Sequence, residues 1–437
     1  MLRRLNERIL LSVCWAVVLC MLFGASCDGA GGDTSYVAPW GKSDNPGTRE
    51  APWGSISYAV KQARPGSTLV LLAGAYEGAR IQKVNGESGE PIVIRGEDRE
   101  QCIINGAVQR EGEYKGGRDA IWFDHCSHMV VENVSLVNAP RAGVLVVQSE
   151  YITVRDCLVR DNGVWGLFTN HSSHVTFENC EITGSKEQHG IYFANGGSDH
   201  CVARGNNIHH NSQCGIQLNG DPASGGDGII SDALVEKNVI HHNGWNGGAA
   251  LNMPFVQDSL IRNNLLYANE AGGITLYRDA GKAPDKHSSG VKILNNTVYF
   301  PPNTGRWACT ITDKCRNVTV LNNIFCGGRY GALAVSPESR QGLVSDHNLV
   351  YNHSGQPNLG DRDEGWVYSI EEWRTAGYGG NSRFEPPQFV APEDGNFHLQ
   401  EGSPAVGVGR PIAGVKEDIE GKSRSQDDVT AGCYQED

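Results

Sequence analysis

Gly166-Leu-Phe-Thr, Gly190-Ile-Tyr-Phe, Gly215-Ile-Gln-Leu and Gly273-Ile-Thr-Leu are one phrase written four times. Gly143-Val-Leu-Val, Ala250-Leu-Asn-Met, Ala308-Cys-Thr-Ile and Ala332-Leu-Ala-Val extend the set across residues 143–351. A second apolar run follows each phrase and carries an amide or acid at one place. That series is Asn133, Asp156, Asn179, Asn206, Asn238, Asn264, Asn296, Asn323 and Asn348, with gaps of 23 to 32 residues. The bare period is therefore about two dozen residues, and the longer gaps are insertions. Such a period marks a solenoid, whose repeats bury their apolar faces only against their neighbours.

Within each phrase the apolar residues alternate, as in Ile191/Phe193, Ile216/Leu218 and Ile274/Leu276, which is strand periodicity. They are rich in Val, Ile, Phe and Thr, and Gly, Asn, Ser and Asp punctuate them. Coils of this kind pair each strand in parallel with its equivalent one turn on, about 4.8 Å away. An Asn at the same turn of every coil can then bond to the Asn above and below, so the nine residues from Asn133 to Asn348 are expected to form one internal column. Leucine-rich repeats have a similar length but need spaced leucines and a helical segment, which are absent. The pattern predicts an all-β chain, a parallel β-helix.

A chain of 437 residues exceeds an ordinary single domain, but a solenoid grows in one dimension and needs no second core. The formal charge of −13 argues against nucleic acid as a partner, because phosphate contacts need clustered cations. Residues 1–27 read as an export signal, with arginines, an apolar run from Ile9 to Phe23 and then small residues. The run is short for a bilayer span. Gly24-Ala25-Ser26-Cys27 resembles a bacterial lipoprotein signal with Cys27 as the lipidated residue, except that Gly24 stands where Leu or Val is usual. Secretion, a periplasmic location and lipid anchoring at the cell surface all remain open, and a lipid on Cys27 would be the one membrane contact. Of the 13 cysteines, Cys14 and Cys20 lie in the signal, while Cys157 and Cys180 follow the ladder position on successive coils. No pair has zinc-ligand spacing, so most are expected in the core, with at most one bridge.

Residues 36–119 precede the clear repeats. Ser55-Ile-Ser-Tyr-Ala-Val-Lys-Gln-Ala63 reads as a short amphipathic helix stopped by Arg64-Pro65-Gly66, and a helix there would cover the open end of the first coil. Residues 120–351 supply the repeats. From 352 the period fails, and Ser369-Ile-Glu-Glu372 opens a short helix carrying Trp373. Asn45-Pro-Gly-Thr, Pro52-Trp-Gly-Ser-Ile, Pro65-Gly-Ser-Thr-Leu and Ala73-Gly-Ala-Tyr resemble the start of right-handed parallel β-helix proteins of the pectate-lyase-like superfamily. Residues 352–437, including Gly402-Ser-Pro-Ala, Asp418-Ile-Glu-Gly and Gly432-Cys-Tyr434, resemble the segment that packs along the last coils there. The resemblance implies a right-handed helix with an N-terminal capping helix and a C-terminal packing segment. It implies no one activity, because that fold hosts lyases, hydrolases, epimerases and non-catalytic adhesins.

Side chains of the opening strand alternate faces, so its outward rows hold Trp122, Phe168, Tyr192, Gln217, Asn219, Asn252 and Tyr277. Aromatic faces beside amides suit sugar rings, which need stacking and hydrogen bonds together. Insertions follow Asn219 (Gly220-Asp221 to Asp227-Gly228) and Tyr277 (Arg278-Asp279 to Lys286-His287) and are expected to wall a groove over Gln217, Asn219, Asn252 and Tyr277. Asp221 and Asp279, two coils and so about 9–10 Å apart, could be the carboxylate pair of an inverting glycoside hydrolase. Arg278, Lys282, Lys186 and His189 could serve a polysaccharide lyase, which removes a proton beside a uronate carboxylate neutralised by cations or by calcium; no cofactor is required by the sequence, and calcium is the one a lyase could use. His209-His210-Asn211 and His241-His242-Asn243 occupy equivalent turns, which repeat structure explains better than metal binding. Two functions remain open: an exported enzyme that cleaves a polysaccharide, or a non-catalytic surface protein that binds glycan or protein. A monomer is expected in either case.

Overall fold

The computed structural model describes residues 33–108, 118–278, 283, 285–355, 359–361 and 366–436. The expected export signal and Cys27 lie outside them. The chain winds through about 11 turns. One full turn shows the plan: an opening strand Ala142–Val147, a second Glu150–Arg155 and a third Leu158–Arg160. Stacked turns generate three sheets, parallel throughout except where Leu359–Asp361 meets Trp366–Tyr368 at the end of the opening sheet. In that sheet Val144, Leu167, Ile191, Ile216, Leu251, Ile274, Cys309 and Leu333 lie in register and are all buried. The helix Ile56–Gln62 is capped by Ser55, whose Oγ accepts from Tyr58 N, and buries Ile56, Ala59 and Val60. It lies against the strands Thr34–Val37 and Ala79–Gln82.

The amide column is real but shorter than the spacing suggests. Asn206, Asn238, Asn264, Asn296, Asn323 and Asn348 form it, each Nδ2 donating to the next Oδ1 at 2.9–3.1 Å. Asn264 also donates to Val235 O, and its Oδ1 accepts from Asn238 N, so the buried amide is fully satisfied. Asn348 passes the column on to Ser382 Oγ. Asn133, Asp156 and Asn179 are not members. They stand one residue earlier, at a left-handed turn position with φ of 53–56°, in line with Gly205, Lys237 and Asn263. The ladder position of those early coils holds Val134, Cys157 and Cys180, and Cys180 N donates to Asn206 Oδ1. Asparagine suits both places, a buried ladder and a positive φ, which is why a bare period merges them.

A second amide ladder, unread in the sequence, runs through Asn211, Asn243 and Asn269 at the turn from third to opening strand. All ten cysteines among the described residues are buried and unbridged, so no disulfide forms there. On the outer face of the second sheet, Arg95, Glu132, Arg155, Glu178, Arg204, Glu236 and Arg262 stand in register with strictly alternating charge. Arg204 and Arg262 both reach Glu236 at 2.6 Å. The C-terminal segment lies along the third sheet, where Phe389, Phe397, Val408, Ala431 and Cys433 pack on Leu265, Ile324 and Leu349. It docks on the left-handed turn column: Asn263 donates to Glu417 O and Asn322 to Arg410 O, while His347 Nδ1 bonds Val408 O.

Two predictions follow from these columns. Asn264→Ala removes a buried amide and strands its neighbours, and should cost about 2–4 kcal/mol in chemical denaturation. Asn179→Gly, at an exposed left-handed position, should change stability by less than about 1 kcal/mol. For the charge ladder, burial alone would raise Glu132 and Glu236, but the bonds from Arg95 and Arg155, and from Arg204 and Arg262, together hold both below the ordinary 4.5. A depressed carboxyl contributes stability above its unfolded value and loses it as pH falls through the folded one. The difference in Tm between wild type and Glu236→Gln should therefore be widest at neutral pH and close in acid below about 4.5.

Candidate functional site

The outward rows of the opening sheet fall in the predicted register. Trp122, Leu145, Phe168, Tyr192, Gln217, Asn252 and Thr275 form one row, and Asp124, Val147, Asn170, Ala194 and Asn219 the next. Inward alternation fixes this geometry, because the buried Ile and Leu positions leave only the intervening residues to face outward.

Side-chain bonds divide the predicted residues into groups. Asn252 Nδ2 donates to Gln217 Oε1 at 2.7 Å and to Tyr277 Oη at 3.2 Å. Asn219 Nδ2 donates to Tyr192 Oη at 3.2 Å. Tyr192 and Phe168 lie 5.2 Å apart between ring centres. Trp165, which sequence reasoning passed over, stacks on Phe168 at 4.2 Å and donates from Nε1 to Gln188 Oε1. It stands immediately before the phrase-opening Gly166, outside the alternating pattern that selected the others. Trp122 lies two coils from Phe168, across Leu145, and instead meets Arg80, whose guanidinium sits 4.0 Å from the ring centre. Arg80 also pairs with Asp124, whose carboxyl burial would raise but which Arg80 and His125 together hold below its ordinary range.

The proposed catalytic residues are placed less simply. His189 is 7% exposed and packs edge-on to Tyr192 at 5.1 Å. Its Nδ1 accepts from Cys214 N–H at 3.2 Å, so the neutral ring carries its proton on Nε2. Burial lowers its pKa to about 4. His189 is thus built as a neutral hydrogen-bond donor, with no free lone pair for a base. Asp221 has φ 40° and caps its own loop: Oδ1 accepts from Ala223 N, and Oδ2 from Ser224 Oγ. Asp279 and Lys282 lie outside the described residues. Arg278 is described and buried.

The two insertions meet each other. Ile229 of the first and Ala283 of the second pack on Phe255, in the coil between them, and Lys286 Nζ donates to Asp227 O. The first insertion also leans back over earlier coils, where His171 Nε2 bonds Ser224 O at 3.0 Å. Beside the second insertion, Ser288 Oγ donates to Tyr277 O, and Arg316 Nη2 bonds His287 Nε2 at 3.1 Å. Burial, then the charges of Arg316, Arg278 and Lys314, hold His287 below its ordinary pKa, with Asp285 opposing them. Positive charge therefore gathers at one flank of the amide row. Lys314 and Arg316 come from the following coil, in Asp313-Lys-Cys-Arg316, and repeat geometry alone brings them to the insertion.

A buried imidazole with a folded pKa of about 4 binds fewer protons than in the unfolded chain between about pH 4 and 6.5. His189 should therefore keep an Nε2–H, Nδ1-unprotonated signature in nitrogen NMR down to about pH 4. Titration at 6.5, or an Nδ1–H tautomer, would refute the donor assignment.

A family model described as "Pel9A-like, right handed beta helix region" matches residues 35–181, and one described as "Right handed beta helix region" matches residues 165–362. The uncharacterized protein YwoF of Bacillus subtilis (strain 168) is 24% identical over 343 residues, spanning 68% of this chain and 69% of its own length. Pectate lyase PEL9 of Emericella nidulans is 33% identical over 161 residues, 35% of each chain. Among solved structures, pectate lyase Pel9A superposes with a TM-score of 0.62 at 16% identity, covering 94% of this chain and 98% of that one. A rhamnogalacturonan lyase gives a TM-score of 0.55 at 15% identity, covering 83% and 92%. The two family models together span the stacked coils from residue 35 to residue 362. The chain is a right-handed parallel β-helix repeat protein, with the fold of pectate lyase Pel9A.

Proposed function

We propose that the chain is an exported enzyme that cleaves an acidic polysaccharide by elimination, in the groove beside Asn252 and Tyr277. The observation that carries this reading is the cationic flank of Arg278, Lys314 and Arg316 around His287, on a chain whose formal charge is −13. Cations held against that background select a local anion, and a uronate carboxylate beside a sugar ring is one that also uses the amide and aromatic rows. The names of PEL9 and of the superposed lyases support the same reading.

In such a reaction Arg316 and Arg278 would neutralise the uronate carboxylate, making the proton on the adjacent ring carbon more acidic. A neutral base takes that proton, and the C–H electron pair forms a C=C bond as the glycosidic oxygen leaves with its electron pair. No water is consumed. His287, held neutral by burial and by its cationic neighbours, has the property the base needs. Arg316 covers its Nε2 in the free protein and would uncover it on turning to the substrate. Hydrolysis has less support, because Asp221 spends both oxygens on its own loop. A calcium ion needs several oxygens around one point, and no three ligating side chains gather so among the described residues. Asp227 likewise gives Oδ1 to Ile229 N. The proposed elimination uses the chain's own cations to neutralise the carboxylate.

Incubation with a panel of uronate-rich and neutral glycans should yield unsaturated, ultraviolet-absorbing ends from the uronate-rich members alone. Arg316→Ala should lower kcat/KM by about 100-fold, and the acid limb of activity should lie below the ordinary histidine value of about 6.5. New reducing ends without the chromophore would make it a hydrolase. Tight binding without turnover would make it the glycan-binding protein that the sequence also allows.

A further inference from the structure

On the third sheet, away from that groove, four imidazoles form two rungs. His209 stacks on His241 with centres 4.9 Å apart, and His210 on His242 at 5.2 Å with planes parallel to 1°. The repeat accounts for that stacking, since equivalent residues sit one coil apart. It does not dictate what happens within a rung. There the Nδ1 atoms of adjacent histidines converge, at 2.9 Å between His209 and His210 and at 2.8 Å between His241 and His242.

Second partners fix the tautomers. His241 Nε2 faces Asn207 Oδ1 at 3.1 Å, and His209 Nε2 faces the Glu181 carboxylate at 3.5 Å; both acceptors require an Nε2–H. The Thr183 hydroxyl lies 3.2 Å from His209 Nδ1 and can donate to it. In each rung the strand histidine therefore aims an Nδ1 lone pair at its neighbour. A carboxylate or amide oxygen on the outer nitrogen is also how metal-ligating histidines are oriented.

We infer that each rung is a bis-imidazole site for a divalent transition metal, copper(II) by preference, held through the paired Nδ1 atoms. Metal–nitrogen bonds of about 2.0 Å at a right angle place two nitrogens about 2.8 Å apart, whereas a tetrahedral ion would need about 3.3 Å. Copper also heads the affinity order for nitrogen ligands. Among the described residues no three ligating side chains converge on one point, so each rung supplies two ligands and water completes the shell. On binding, the bridging proton of His210 or His242 moves from Nδ1 to the other ring nitrogen, and the metal takes its place.

Calorimetric titration of the purified full chain with copper(II) should show about two sites, with electron paramagnetic resonance reporting two coupled nitrogens per ion and zinc binding at least about 10-fold more weakly. His210→Asn with His242→Asn is the informative variant. Both positions have φ of 52°, which Asn tolerates, and both side chains are exposed, so the fold should survive. The double variant should lose both sites while its Tm and its action on glycans stay unchanged. Copper binding equal in the variant and the wild type, or none in the wild type below about 100 µM, would overturn the assignment.

Discussion

Everything in this molecule depends on one constraint: a buried polar group at a turn must find its partner in the next turn. Asn264 cannot be hydrated, so its amide is tied to Asn238 on one side and Asn296 on the other. That bond has a fixed reach, and the turn that carries it has a fixed length. Glu178 to Glu181, Arg204 to Asn207, Glu236 to Val239 and Arg262 to Leu265 all close in the same way. Extra residues would break the chain of amides, and so the turn from second to third strand admits none.

The two long insertions leave instead from the turn between opening and second strands, which no amide ladder crosses among the described residues. The turn from opening to second strand is linked by hydroxyls, with Ser149 Oγ accepting from Cys126 N, Ser172 Oγ from Ser149 N and, in later coils, Ser259 Oγ from Ala233 N and Ser288 Oγ from Val256 N. The loops after Asn219 and Tyr277 leave from this edge. They meet each other where Lys286 Nζ donates to Asp227 O, beside a small apolar contact at Phe255. The candidate cleft thus lies on the face whose outward rows are already aligned by the core behind them. The strands fix the positions of Gln217, Asn252 and Tyr277, while the loops supply charge.

The fold was legible in the sequence because period and alternation are both local properties of the text. The opening-sheet register followed directly, since burying Ile191, Ile216 and Ile274 leaves Tyr192, Gln217 and Thr275 outward. The amide series was legible only in part. Asn133 and Asn264 look equivalent by spacing, yet one relieves a positive φ and the other a buried donor, and only coordinates separate neighbours one residue apart. Asn263-Asn264, Asn295-Asn296 and Asn322-Asn323 carry both positions at once. The charge cluster was hidden for another reason. Arg278 and Arg316 are far apart in the chain, and their meeting depends on which turn an insertion leaves. His189 could be read as a base from its residue type, but its donor role rests on a single backbone contact with Cys214.

The charge row on the second sheet gives the coil a form of parity. A growing solenoid can in principle skip a rung, because every apolar column accepts any other rung nearly as well as its own. Skipping one would set Arg155 against Arg204 and Glu132 against Glu178, like against like. Only an error of two rungs would restore the alternation, and that leaves about four dozen residues to be looped out. Winding is thus proofread by sign, one coil at a time, along the stretch from Arg95 to Arg262.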